Sequence, residues 1–347
     1  MQLADSTRRD PYHPADATRT LMVRFWYPAA PGQLCQPAEY TSAKVWAYVS
    51  HLSGFPVPSV RTNSCQRAVV ATGPHPVVLF SHGYTGMLTD STFLFEDLAS
   101  RGYVVASIAH TYETTAVELP NGRLITSILG SYLGGDSLRM DYESLRFART
   151  ARLADIRFLL GELQRLNSRI DSPFRSRLRL DRVGVMGHSL GGEVALAALE
   201  RDPRLRAAVS LDGAVSPEVA EGSAKPVLLL AAGREHWTDE ECQLWSGLRG
   251  PRFAVDLRGA DHFTSSDAIW MFQNVPGMAA SVGNMGREKT IAAIRNYVAA
   301  FFDAYLLGNP PEALLNTAST DYPDAIVTSP RQTLCRQNSA VAQGGSQ

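Results

Sequence analysis

The chain has 347 residues, of which 45% are hydrophobic and 19% charged, and its formal net charge is −1. That is long and apolar enough for a globular core that needs no disulfide or metal. Near-neutral charge gives no footprint for nucleic acid or an anionic lipid surface. No window has the apolar length of a membrane-spanning helix. The expected partner is therefore a small molecule, with no nucleic acid and no stable membrane insertion; the oligomeric state does not follow from the sequence. The first twenty residues, "MQLADSTRRDPYHPADATRT", lack the apolar stretch of a secretory signal. The expectation is a cytoplasmic chain, with a secreted protein whose signal has been removed as the alternative. Cys35, Cys65, Cys242 and Cys335 show no zinc-type spacing. They are expected to be free, with a Cys35–Cys65 bridge as the alternative.

In chain order, "LMVRFWYPA" reads as an early strand and "SAKVWAYVSHLSG" as a short helix within an insertion at about 40–66. "PVVLFSHG" is apolar throughout, as a strand covered on both faces requires. "STFLFEDLASRG" is a helix stopped at Gly102, followed by the strand "YVVASIA". "SLRFARTARLADIRFLLGELQRLN" is a long amphipathic helix, "RVGVMG" a strand and "EVALAALE" the helix after it. "RAAVSLDGA", "PVLLLAAG" and "RFAVDLRGA" are three further strands, and "TIAAIRNYVAAFFDAYLLG" is the closing helix. This alternation predicts an α/β fold with a doubly wound, mostly parallel sheet and helices on both faces. A single domain over 1–325 is expected, with a flexible tail over 326–347.

Within this frame, "GHSLGG" (187–192) lies between a strand and a helix. That is the context of a nucleophile elbow, a turn too sharp for bulky neighbours, with the serine at a helix N-terminus. Ser189 is the candidate nucleophile. The similar letters of "ILGSYLGGD" (128–136) lack the Gly two before the Ser and read as a loop near the site mouth. A serine needs an adjacent base. Of the two histidines that follow it, His262 in "GADHF" directly follows the last expected strand, whereas His236 sits in the polar "GREHW". Asp212, after the first strand beyond the elbow, is the favoured acid, and Glu235 the alternative. Asp261 reads as a turn residue. The backbone N–H groups of Leu190 and of Tyr84, in "SHGYTG", are the expected oxyanion donors. His82 reads as a brace for that loop. The apolar segments 40–66 and 266–285 either wall the substrate pocket or are plain core, Trp46, Trp270 and Phe272 included.

As a set, "LFSHGYTG", "GHSLGG", "SLDGA", "GADHF" and the "RxDPY…LMVRFWYPA" opening resemble the plasma-type platelet-activating factor acetylhydrolase family of α/β hydrolases. The resemblance covers about residues 5–310. It implies an α/β-hydrolase fold, Ser189, Asp212 and His262 as a triad, and Tyr84 and Leu190 as oxyanion donors. It also implies a serine esterase that favours short or modified acyl groups and uses no metal or organic cofactor. An acyltransferase, thioesterase or cyclase could use the same residues. A cutinase-like polyester hydrolase fits less well, because its acid follows a later strand, where this chain has "GREHW".

Overall fold

The structure, a computed structural model, describes residues 1–13, 18–130, 141–272, 275 and 279–335. Its strands are β1 (Gln2–Asp5), β2 (Arg19–Trp26), β3 (His75–Ser81), β4 (Val104–Ala109), β5 (Ala116–Glu118), β6 (Leu124–Thr126), β7 (Leu178–His188), β8 (Leu205–Leu211), β9 (Val227–Ala232), β10 (Arg252–Leu257) and β11 (Ala325–Thr328). Nine of them form one sheet in the order β1-β2-β4-β3-β7-β8-β9-β10-β11, while β5 and β6 pair separately. The central pairs from β4 to β10 are parallel; β1–β2, β2–β4 and β10–β11 are antiparallel.

The unbroken apolar runs of the central strands follow from covering both faces. Successive side chains alternate between two cores: Val78 and Phe80 enter one, Val77 and Leu79 the other. Leu228 and Leu230 against Val227 and Leu229 repeat the pattern in β9. Helices α1 (Ala43–Ser53), α2 (Thr92–Ser100) and α7 (Arg287–Phe302) supply the first core. Helices α3 (Tyr142–Ser168), α4 (Leu190–Arg201) and α5 (Asp239–Gly247) supply the second. A short α6 (Ala268–Met271) follows β10. Among the described residues, no helix is long and apolar enough to cross a membrane.

The winding reverses between β3 and β7. The chain leaves β3 through α2 toward β4, then returns through α3 to β7 on the other side of β3. Loops leaving these two neighbours diverge to opposite faces, which opens a crevice at their carboxyl ends.

Two expectations need correction. The cysteines are not free: Cys35 pairs with Cys65 and Cys242 with Cys335, with Cα–Cα distances of 5.0 and 5.8 Å. The first is the bridge named above as the alternative; a sequence separation of 93 residues hid the second. The first arises because the two arms of the insertion run alongside each other, Ala38 N–H donating to Ser64 O and Gln66 N–H to Gln36 O. The second arises because β11 turns the chain back past α5, where Trp245 Nε1 donates to Gln332 O at 3.1 Å. The tail expected to be flexible from residue 326 is thus ordered at its start, pairing as β11 and then bridging at Cys335. Residues 336–347 lie outside the described residues.

Candidate active site

Each candidate side chain stands just past the carboxyl end of a parallel strand. Ser189 follows β7 and has φ 55° and ψ −124°, a conformation that costs a non-glycine residue of order 1–3 kcal/mol. The turn closes only with glycine flanks. A Cβ on Gly187 would lie 2.1 Å from Gly191 O, and one on Gly191 would lie 1.9 Å from Ser81 O. Ser189 is held by its own N–H to Leu211 O at 3.0 Å and by Gly192 N–H to Ser189 O at 2.9 Å. Leu190 opens α4, so its N–H has no acceptor one turn back in the helix.

Asp212 is the first residue after β8 and also has a positive φ, 47°. Its N–H donates to Leu230 O at 2.7 Å, which ties the turn to β9. The side chain is buried. Oδ1 accepts from Ala232 N–H at 3.1 Å and pairs with Arg234 Nη2 at 3.2 Å. Oδ2 lies 2.6 Å from His262 Nδ1. Burial alone would raise this carboxyl, but the His262 hydrogen bond and the Arg234 charge outweigh it and hold it below the usual carboxylate range.

His262 opens a 3₁₀ turn after β10, His262–Ser265, capped by Asp261: Asp261 Oδ1 accepts from His262 N–H at 2.6 Å. Its Nε2 lies 3.0 Å from Ser189 Oγ. A carboxylate can only accept, so Nδ1 carries the proton toward Asp212 and Nε2 presents a lone pair to the serine hydroxyl. Ser189, His262 and Asp212 are thus brought into one line of contacts. The alternatives His236 and Glu235 remain exposed in the loop after β9.

The loop after β3 faces the elbow. A Cβ on Gly83 would lie 3.5 Å from Ser189 Cβ, so the backbone leading into Tyr84 passes beside the nucleophile. His82 is fully buried; its Nδ1 donates to Gly83 O at 2.6 Å and its Nε2 accepts from His110 N–H at 3.3 Å. Burial, with the Arg152 charge nearby, pushes its pKa well down and keeps the ring neutral. The two apolar segments meet each other: Phe55 and Phe272 approach edge-on at 6.4 Å. Trp270 is 38% exposed, while Trp46 stacks on Tyr40. Residues 131–136 of the "ILGSYLGGD" loop, and residues 273, 274 and 276–278, lie outside the described residues.

Sequence reasoning passed over three supporting side chains. His188, directly before the nucleophile, donates Nε2–H to His262 O at 2.7 Å and so pins the base's main chain. Burial, then the neighbouring His262, lowers its pKa to about 4, so it is neutral. Arg234 bridges Asp212 and Glu241. Arg152, fully buried on α3, reaches the His82–Gly83 loop. The one signal in the sequence was "RTARLAD", which sets Arg149, Arg152 and Asp155 at three-residue spacing on what proves to be the buried face of α3.

Comparison with known proteins agrees with this fold. A model of the dienelactone hydrolase family matches residues 66–250, more than half of the chain. A model named platelet-activating factor acetylhydrolase, isoform II, matches residues 10–119. A ferulic acid esterase from Streptomyces cinnamoneus superposes with a TM-score of 0.78, at 33% identity, over 95% of both chains. A probable 1-alkyl-2-acetylglycerophosphocholine esterase of Arthroderma benhamiae is 26% identical over 273 residues, which is 72% of this chain and 65% of that one. The platelet-activating factor acetylhydrolase of Canis lupus familiaris is 28% identical over 178 residues, 46% of this chain and 40% of that one. The matches therefore span less than two thirds of these two relatives' own length. Fold and comparisons together define the class, an α/β hydrolase. Within it, the chain belongs to the dienelactone hydrolase family.

Proposed function

We propose that the protein hydrolyses carboxylic esters of small or compact acyl groups through Ser189, with His262 as base and Asp212 as acid. The observation that carries this reading is the unbroken line Asp212 Oδ2–His262 Nδ1 at 2.6 Å and His262 Nε2–Ser189 Oγ at 3.0 Å. His262 takes the hydroxyl proton as Ser189 Oγ attacks the ester carbonyl. Asp212, kept ionised by its His262 hydrogen bond and the Arg234 charge, holds the reactive tautomer and stabilises the imidazolium that forms. The N–H groups of Leu190 and Tyr84 receive the developing oxyanion; such a donor is worth about 3 kcal/mol of barrier. His262 then protonates the departing alcohol, and water releases the acid by the same steps. No metal or organic cofactor enters this scheme.

The segments around Phe55 and Phe272 are read as walls of the acyl pocket. The relative named a ferulic acid esterase, aligned over nearly the whole chain, favours a second substrate reading, an aromatic acyl ester. The two disulfides support an oxidising compartment over the cytoplasm. The test is hydrolysis of p-nitrophenyl esters from C2 to C12 alongside methyl ferulate. Highest kcat/KM at C2–C4 is expected; preference for methyl ferulate selects the aromatic reading. No hydrolysis of any ester by the folded protein overturns both.

A further inference from the structure

Resting on that reading, we propose that Arg152 is the positioning residue of the oxyanion hole, locking from behind the peptide whose N–H faces the developing charge. Arg152 belongs to α3, far from Ser189 in sequence, and its side chain is fully buried. Its guanidinium donates to two consecutive carbonyls of the loop, His82 O and Gly83 O, the latter at 3.1 Å. Gly83 O also accepts from Gly86 N–H at 3.0 Å and from His82 Nδ1 at 2.6 Å. Three donors on one carbonyl leave that peptide no second orientation. In a trans peptide the C=O and the following N–H point oppositely. Fixing Gly83 O toward α3 therefore turns Tyr84 N–H away from α3, on the stretch of loop that runs beside Ser189. The cation also polarises this peptide, which strengthens its N–H as a donor.

Arg152 is itself held. Its Nε donates to Glu113 Oε2 at 2.6 Å, and Glu113 Oε1 accepts from Tyr12 OH at 2.5 Å. A planar fork is needed to reach two carbonyls and a carboxylate at once, which lysine cannot do.

The test compares Arg152→Lys, and Arg152→Met combined with Glu113→Gln so that no buried carboxylate is left unpaired, with the parent protein. Folding is checked by near-UV circular dichroism. The readouts are kcat, KM, the Ki of a trifluoromethyl ketone that forms an oxyanion on Ser189, and the Ki of a non-reactive ether of the same shape. We expect kcat to fall about tenfold in the lysine variant and about a hundredfold in the double variant. The ketone Ki should rise in step with the loss of kcat, while KM and the ether Ki stay within about threefold. A folded variant with parental kcat and ketone Ki, or one that weakens ketone and ether equally, overturns the proposal. Failure of the double variant to fold leaves the lysine variant to decide. A parent protein whose Ser189 does not react with the ketone at all refutes the esterase reading rather than the role of Arg152.

Discussion

Replacing Asp212 by asparagine tests the hydrogen-bond logic of the site more sharply than deleting it. The carboxylate accepts on both sides: Ala232 N–H and Arg234 on Oδ1, His262 Nδ1–H on Oδ2. An asparagine has one acceptor and must choose. Facing its oxygen toward Ala232 and Arg234 satisfies two donors but turns its NH₂ toward Nδ1. The imidazole then carries its proton on Nε2 and cannot take one from Ser189. The reverse flip restores the tautomer but sets an amide NH₂ against two donors, each costing about 1–3 kcal/mol when unmet. The reactive arrangement is thus disfavoured by about 2–6 kcal/mol, a kcat loss of roughly 30-fold to 10⁴-fold at 1.36 kcal/mol per decade. Steady-state hydrolysis of p-nitrophenyl acetate should show this with KM little changed. Asp212→Ala, which leaves space for a water that accepts from Nδ1, should retain more activity than the asparagine variant. An asparagine variant within tenfold of the parent would refute the argument.

Two further outcomes follow from the same structure. His188 is buried and neutral with a pKa of about 4, against about 6.5 when unfolded, so between these values the unfolded chain binds more protons and stability falls as pH falls. Its contribution is about 2–3 kcal/mol between pH 7 and 4.5; urea unfolding of His188→Gln should show a correspondingly shallower loss over that range, and an unchanged slope would contradict the assignment. Reduction should destabilise the fold: closing loops of 30 and 93 residues is worth up to about 3.6 and about 4.7 kcal/mol in the chain-entropy account. Melting temperature should drop by several degrees with reductant, and Cys242→Ser with Cys335→Ser should reproduce part of that drop; identical melting in both redox states would count against the bridges.

Legibility in the sequence tracked hydrophobicity. Strands such as β3, β7 and β9 are covered on both faces and announce themselves as apolar runs, and the elbow adds glycines that only a close backbone approach explains. The elements the sequence did not announce lie at edges or carry polar surface. β1, "QLAD", and β11, "AIVT", are four-residue edge strands that bury few side chains. Helix α5 is polar, although Thr238 and Glu241 form a capping box whose spacing was readable as such. The three candidate residues could be ordered along the chain because each follows a strand. Their supports could not, because His188, Arg234 and Arg152 act through contacts spanning 74, 22 and about 70 residues. The Cys242–Cys335 disulfide was hidden for the same reason: that pairing is set by where β11 returns the chain past α5, not by local pattern.

The proposed function stands or falls on Ser189 being an activated nucleophile. Its most direct test is reaction with a fluorophosphonate followed by peptide mass spectrometry, on the parent and on Ser189→Ala. One phosphonyl group per chain is expected, on the peptide that contains Ser189, and none on the alanine variant. Labelling that persists in Ser189→Ala, or its absence from the folded parent, would contradict it.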